Sequence, residues 1–171
     1  MKISPRVLID NCVLIEGSLN IKNYRSDFFE YIISNPDLGL ITESMRKGSE
    51  SRLNKILTRE KPKRKDKVLR RFQNITNSLR IETIGYNQKR KKLYFVNSFL
   101  TGIKEGSYRV EVFNWEDRLV LAEALCLKER YSPLFLTSYD EHFLSLSDEI
   151  KEELDIKCDT PSNVLRELKQ Y

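Results

Sequence analysis

The sequence predicts a three-layer α/β/α sandwich around a central parallel β-sheet. Short apolar strands read at residues 6–10, 38–41 and 134–136, with Ile156-Lys157-Cys158 as a fourth; residues 6–10 show no polar alternation, the pattern of a strand buried on both faces. Stretches with helical spacing separate them, and strands joined through helices form right-handed crossovers that cover both faces of a parallel sheet. Two of the runs also lead into a carboxylate: RVLID ends on Asp10, and LFLTSYD reaches Asp140 a few residues past its strand.

Each element has its own signal. After the first strand, Tyr24, Phe28 and Ile32 recur at i, i+4 and i+8, so residues 23–34 read as an amphipathic helix ended by Asn35-Pro36. Thr42 follows the second strand and caps a helix running from Glu43 towards Leu57. Pro62 and a dense charge run interrupt the pattern, and Val68, Leu69, Phe72, Ile75 and Leu79 then resume helical spacing. Residues 81–112 are ambiguous: Leu93–Val96 fits strand or helix, and Gly102 and Gly106 mark turns. Asn114 caps a helix over about 115–130, with Trp115 read as core. Thr160-Pro161 opens a closing helix over 161–169, with proline at its first helical position.

The 171 residues are 40% hydrophobic and 32% charged, an ordinary globular balance. No apolar run approaches membrane-spanning length, and MKISPRVLID lacks a signal-peptide core, so the expectation is a cytoplasmic protein with no membrane partner. Cys12, Cys126 and Cys158 are far apart, form no CxxC pair, and read as reduced core residues; with a single histidine, His142, they make no zinc set. The net charge of +5 is unevenly spread. Residues 46–92 hold 17 Lys/Arg against 4 Asp/Glu, whereas the rest of the chain holds 13 against 21. A cationic third beside an acidic body is a surface for polyanions or simply a solvated helical face.

The carboxylates carry the chemistry. In open parallel sheets ligands gather beyond the carboxyl ends of the strands, where Asp10 and Asp140 are expected. Asp117 shares a helical face with Leu121, Ala124 and Leu125, so it points inward from its helix start. Glu43 begins the helix after strand two, and Glu50 lies seven residues on along the same face. Taken singly, each acid also has a plain structural use as a helix cap or dipole partner. Together, acids converging on one rim repel unless a cation neutralises them, and an all-oxygen set suits Mg²⁺ or Mn²⁺.

These segments resemble the PIN domain, a nuclease family that includes VapC-type toxins. VLIDNCVLIEGSL is similar to its first-strand motif, EDRLVLAEAL to its third-acid helix, LFLTSYDEHF to its final-acid motif, and IKCDTPSNVLREL to its closing strand and helix. The likeness spans about 1–50 and 114–171. It implies one domain over 1–171, with a basic, mostly helical insertion or elaboration at about 51–113. It further implies an Mg²⁺- or Mn²⁺-dependent endoribonuclease for single-stranded RNA, with Asp10, Glu43, Asp117 and Asp140 as catalytic and metal-binding acids. Glu50 is the alternative second acid, because the family's second acid lies a few residues into its helix. Asn11, Thr137, Ser138 and Glu116 would support the site; Ser138 has the motif's spacing of two residues before the acid, and Thr137 is one residue too early.

Given that resemblance, Lys61, Lys63, Arg64, Lys65, Lys67, Arg70, Arg71, Lys89, Arg90, Lys91 and Lys92 are expected to hold the RNA backbone near the acids, with Tyr86 and Tyr94 as stacking or core residues. A toxin would bring an antitoxin protein as partner, and family members commonly form homodimers. The competing reading is a non-catalytic nucleic-acid-binding module on the same scaffold. A dehalogenase-type phosphatase needs a second Asp two residues after the first, where this chain has Cys12.

Overall fold

The computed structural model describes residues 5–24, 26–103 and 113–171. Five strands, β1 (Arg6–Ile9), β2 (Gly39–Thr42), β3 (Arg80–Glu82), β4 (Leu134–Thr137) and β5 (Lys157–Asp159), form one sheet in the order β3-β2-β1-β4-β5. Every pairing is parallel, with Leu8 opposite both Leu40 and Leu136. Val7, Leu8, Ile9, Leu40, Ile41, Phe135 and Leu136 are all buried, which is why the central strands show no polar alternation. Flanking helices complete an α/β fold compatible with a three-layer sandwich.

The helices are α1 (Asn11–Leu19), α2 (Ile21–Tyr24), α3 (Asp27–Ser34), α4 (Glu43–Ile56), α5 (Pro62–Asn77), α6 (Tyr86–Gly102), α7 (Trp115–Lys128), α8 (Glu141–Ser145), α9 (Ser147–Leu154) and α10 (Pro161–Leu168). A short 3-10 turn, Leu57–Arg59, links α4 to α5. Helix α7 packs on β4 with α6 outside it, and α10 packs against α3 and β4. Helix α1 packs on α4 and α5, where Leu53, Leu57, Val68 and Phe72 form a small second core joined by Ile15, Leu19 and Leu69. Gly17 makes the α1–α3 contact close: a Cβ there would lie 2.5 Å from the Phe29 ring. Among the described residues no helix is long and apolar enough to cross a membrane.

Several elements differ from the sequence reading for identifiable reasons. Pro62 starts α5 at its first turn, where a missing N–H costs nothing, so the helix begins earlier than its apolar spacing. Residues 93–96 are helical, inside α6. The strand β3, sequence RIE, is a three-residue edge strand whose charged ends hide it from a search for apolar runs. Residues 23–34 are divided between α2 and α3, the latter capped by the Ser26 hydroxyl. Trp115 is 60% exposed rather than core, because the inward face of α7 begins with Asp117. Gly106 lies outside the described residues.

Candidate functional site

The chain winds outward from β1 through β2 to β3, then returns to the other side of β1 and winds through β4 to β5. The winding therefore reverses between β1 and β4, and helices leave in opposite senses there to open a crevice. Asp10 follows β1, and Ser138 to Asp140 follow β4, so both motifs land at that reversal. The Asp10 N–H donates to the Thr137 carbonyl at 3.1 Å, extending the β1–β4 pairing to the site.

Asp10 is the N-cap of α1, and its Oδ1 accepts from the Asn11 N–H at 2.6 Å. Its Oδ2 accepts from the Ser138 hydroxyl at 2.7 Å and from the Cys12 thiol at 3.1 Å. The Ser138 hydroxyl in turn accepts from the Asp140 N–H at 2.9 Å, so one side chain ties Asp10 to the backbone of Asp140. The Tyr139 N–H donates to the Cys12 sulfur at 3.2 Å, closing the loop after β4 over the start of α1.

Asp117 reaches the same place from α7. It forms a capping box with Asn114: its N–H donates to the Asn114 side chain at 3.0 Å, and its Oδ2 accepts from the Asn114 N–H at 3.1 Å. Asp140 caps α8, accepting from the His142 N–H at 2.9 Å. His142 Nδ1 then lies 3.2 Å from Asp140 Oδ1 and 3.4 Å from Asp117 Oδ2. One ligand atom from each of Asp117, Asp140 and His142 falls within 4.8 Å of the others, the spacing of a metal-binding group.

All three aspartates thus serve as caps and also converge. Capping accounts for their places at helix starts. It does not account for their shared location or for the charge left uncompensated. Asp10 is 5% exposed and Asp117 7%, and among the described residues no Lys or Arg forms an ion pair with Asp10, Asp117 or Asp140. Burial pushes the Asp10 carboxyl up from its ordinary value against three hydrogen bonds that favour the anion. Burial, with Asp140 adding repulsion, also raises Asp117. The Cys12 thiol is pushed up to about 12 by burial and by Asp10, so it stays protonated and donates to the carboxylate.

The remaining expected residues are placed differently. Glu43 is held by Arg46 at 3.1 Å and Lys47 at 3.2 Å, which keep its carboxyl below the usual range, and it shares no hydrogen bond with the aspartates. Glu50 is exposed on α4 near Arg46. Asn11 lies beside the cluster and accepts from the Ser49 hydroxyl at 2.7 Å. Thr137 is fully buried, with its hydroxyl unpartnered. Glu116 is exposed and ion-paired with Arg52. Lys89 and Lys92 are paired with Glu123 and Glu129, whereas Arg90 and Lys91 are exposed. Tyr86 and Tyr94 are exposed, not core.

The structure adds three features to the sequence reading. His142 joins the acids, so the donor set is no longer all oxygen; its place two residues after Asp140 was the available signal. Cys12, a free thiol half-buried against the core, is also a hydrogen-bond partner of Asp10. Glu123, 2% exposed, forms a second buried carboxylate with the Thr42 hydroxyl at 2.5 Å, the Ser44 hydroxyl and Lys89. It was visible as the one charge in LVLAEALCL. Glu123, Ser44, Gly48, Asn11, Arg52 and Glu116 line a cleft of about 170 Å³ between α4 and α7.

The chain matches no protein-family model and no curated protein sequence.

Proposed function

We propose that this protein is a PIN-like, divalent-metal-dependent endoribonuclease acting on single-stranded RNA. One observation carries the reading: Asp117, Asp140 and His142 meet at the β1–β4 reversal with Asp10 tied to them through Ser138, and among the described residues no Lys or Arg pairs with these acids. Buried carboxylates in this state are costly, and a bound cation removes that cost.

The donor set fits a divalent ion. Asp117, Asp140 and His142 would hold it, with Asp10 beside them through Ser138. Two carboxylates with one imidazole, and a third carboxylate beside them, favour Mn²⁺ over Mg²⁺, which prefers oxygen ligands throughout. When bound, such an ion supplies Lewis acidity at a phosphoryl oxygen and lowers the pKa of a water. The chain's own contribution is positional. Ser138 fixes Asp10 relative to the Asp140 backbone, the Asn114 capping box fixes Asp117, and the Asp140 cap presents His142 to both acids.

The test is incubation of single-stranded RNA with Mn²⁺ or Mg²⁺, beside EDTA and an Asp10→Asn variant. Cleavage that is greater with Mn²⁺ and is abolished by EDTA and by the substitution is expected. A salt-sensitive gel shift without cutting would replace the nuclease with the binding-module reading.

A further inference from the structure

Helix α5 opens on cations, whereas half of the described helices open on acids and α1, α2, α6 and α10 have no acid in the first turn. The first turns of α3, α4, α7, α8 and α9 carry acids, which suit the positive end of a helix dipole. The first turn of α5 holds Lys63, Arg64 and Lys65 and no acid. Its inner face is Val68, Phe72 and Ile75, buried against α1 and α4. Beside that face, Lys63, Lys67, Arg70 and Arg71 stand at i, i+4, i+7 and i+8, a single stripe of like charge. Among the described residues Lys63, Lys67 and Arg70 form no ion pair, although Arg64 pairs with Glu60.

The stripe borders a groove of about 440 Å³ between α5 and α2, lined also by Asp66 and Ile21. Arg71 spans its floor: Nη1 donates to the Leu19 carbonyl at 3.4 Å, and Nε is buried without a hydrogen-bond partner. A cationic stripe at the wrong end of a helix, with a buried guanidinium N–H left over, is a local conflict that an external anion resolves.

We infer that the α5–α2 groove is a docking track for the phosphate backbone of RNA, separate from the acidic site. Lys63 to Arg70 spans about 10 Å along the helix, room for about three phosphates at the ~3.4 Å stacked spacing. Among the described residues the lining repeats positive charge and has Ile21 as its apolar side chain, which suits a phosphodiester chain better than an acidic protein segment, which would also bury apolar side chains. Arg71 sits at the carbonyl that ends α1, and Asp10 caps the other end, so the track lies about 13 Å along α1 from the acids. On this placement the α5 cations would hold the RNA backbone near the acids but not at the rim itself. The inference shares its RNA ligand with the proposed nuclease and does not depend on cleavage.

The experiment measures binding in EDTA, where nothing is cut. A labelled single-stranded RNA of about 30 nucleotides, longer than a single-domain footprint, is titrated against the parent chain and the K63E/K67E/R70E variant at several salt concentrations. All three side chains are exposed, and circular dichroism and thermal melting check that the variant folds as the parent does. Affinity is expected to fall at least about tenfold, and the log–log salt slope to become shallower by about 2. In the parent, photocrosslinks from 4-thiouridine RNA are expected within residues 62–77. Unchanged affinity and slope, or crosslinks confined to the acidic rim, would overturn the inference; the first result would leave the stripe to a protein partner. RNA binding that fails in the variant while the parent never cleaves RNA would keep this track and remove the nuclease.

Discussion

Two buried carboxylate sites in this molecule are built in opposite ways. Glu82, at the end of β3, is 6% exposed and fully compensated: it accepts from Tyr131 at 2.5 Å, Arg130 at 2.6 Å and Arg80 at 2.8 Å. Burial opposes its ionisation, yet the Tyr131 hydroxyl and the two guanidiniums outweigh it and hold the carboxyl below the usual range. Asp10 and Asp117 are as buried, and their carboxyls are raised. Glu82 is surrounded by fixed donors, two of them cationic; Asp10 and Asp117 accept from neutral donors and from the His142 side chain, which lies beside Asp117. A carboxylate placed for stability brings its counter-charge in the chain, whereas among the described residues this cluster has no Lys or Arg counter-charge.

Breaking the comparison at the aspartates has the largest expected effect. Asp10→Asn, Asp117→Asn and Asp140→Asn should each lower Mn²⁺-dependent RNA cleavage by more than about a hundredfold, beyond what changes around a metal's ligands cost. A gel assay of cleavage checks this, and Glu82→Gln should cut at close to the parent rate. Next in size is metal itself. Mn²⁺ at a hundred times its dissociation constant should stabilise the parent by about 2.7 kcal/mol, seen as a melting temperature about 5–10 °C higher. Asp140→Asn should show little of that shift, and an equal shift would place the ion elsewhere.

Glu82→Gln should cost about 2 kcal/mol, or about 4–8 °C in melting temperature, with or without Mn²⁺. The smallest effect sharpens the contrast through pH. Raised carboxyls bind protons more tightly in the folded chain, so in EDTA Asp10 and Asp117 contribute stability below their unfolded value of 3.8. That contribution is lost as pH rises through their folded values. Glu82 runs the other way: its contribution is present above 4.5 and is lost as pH falls through its lowered folded value. Denaturant titrations in EDTA should therefore find Asp10→Asn gaining on the parent as pH rises to neutral. Glu82→Gln should approach the parent as pH falls.

The main lines of the fold could be read in the linear chain because continuous apolar runs and cap residues are local. β1, β2, β4 and β5, the Thr42 and Thr160-Pro161 helix starts and the inward face of Asp117 all follow from neighbours within a few residues. β3 did not, since three residues of mixed charge become a strand only by pairing with β2. Cys12 did not either, because its role depends on chain segments more than a hundred residues apart closing at β1 and β4, nor did His142, which meets Asp117 only once α7 packs beside the loop after β4.

By itself, then, the amino-acid order determined which residues are apolar on both sides, where helices begin, and that carboxylates follow two strands. Tertiary structure alone decided which charges meet which partners. Glu43 found Arg46 and Lys47, Glu123 found Lys89, and Glu82 found Arg130, while Asp10, Asp117 and Asp140 found one another and His142. Periodicity sets the face on which a charge lies. Its partner depends on the distance across the packed chain, and the energy of a buried carboxylate turns on that partner.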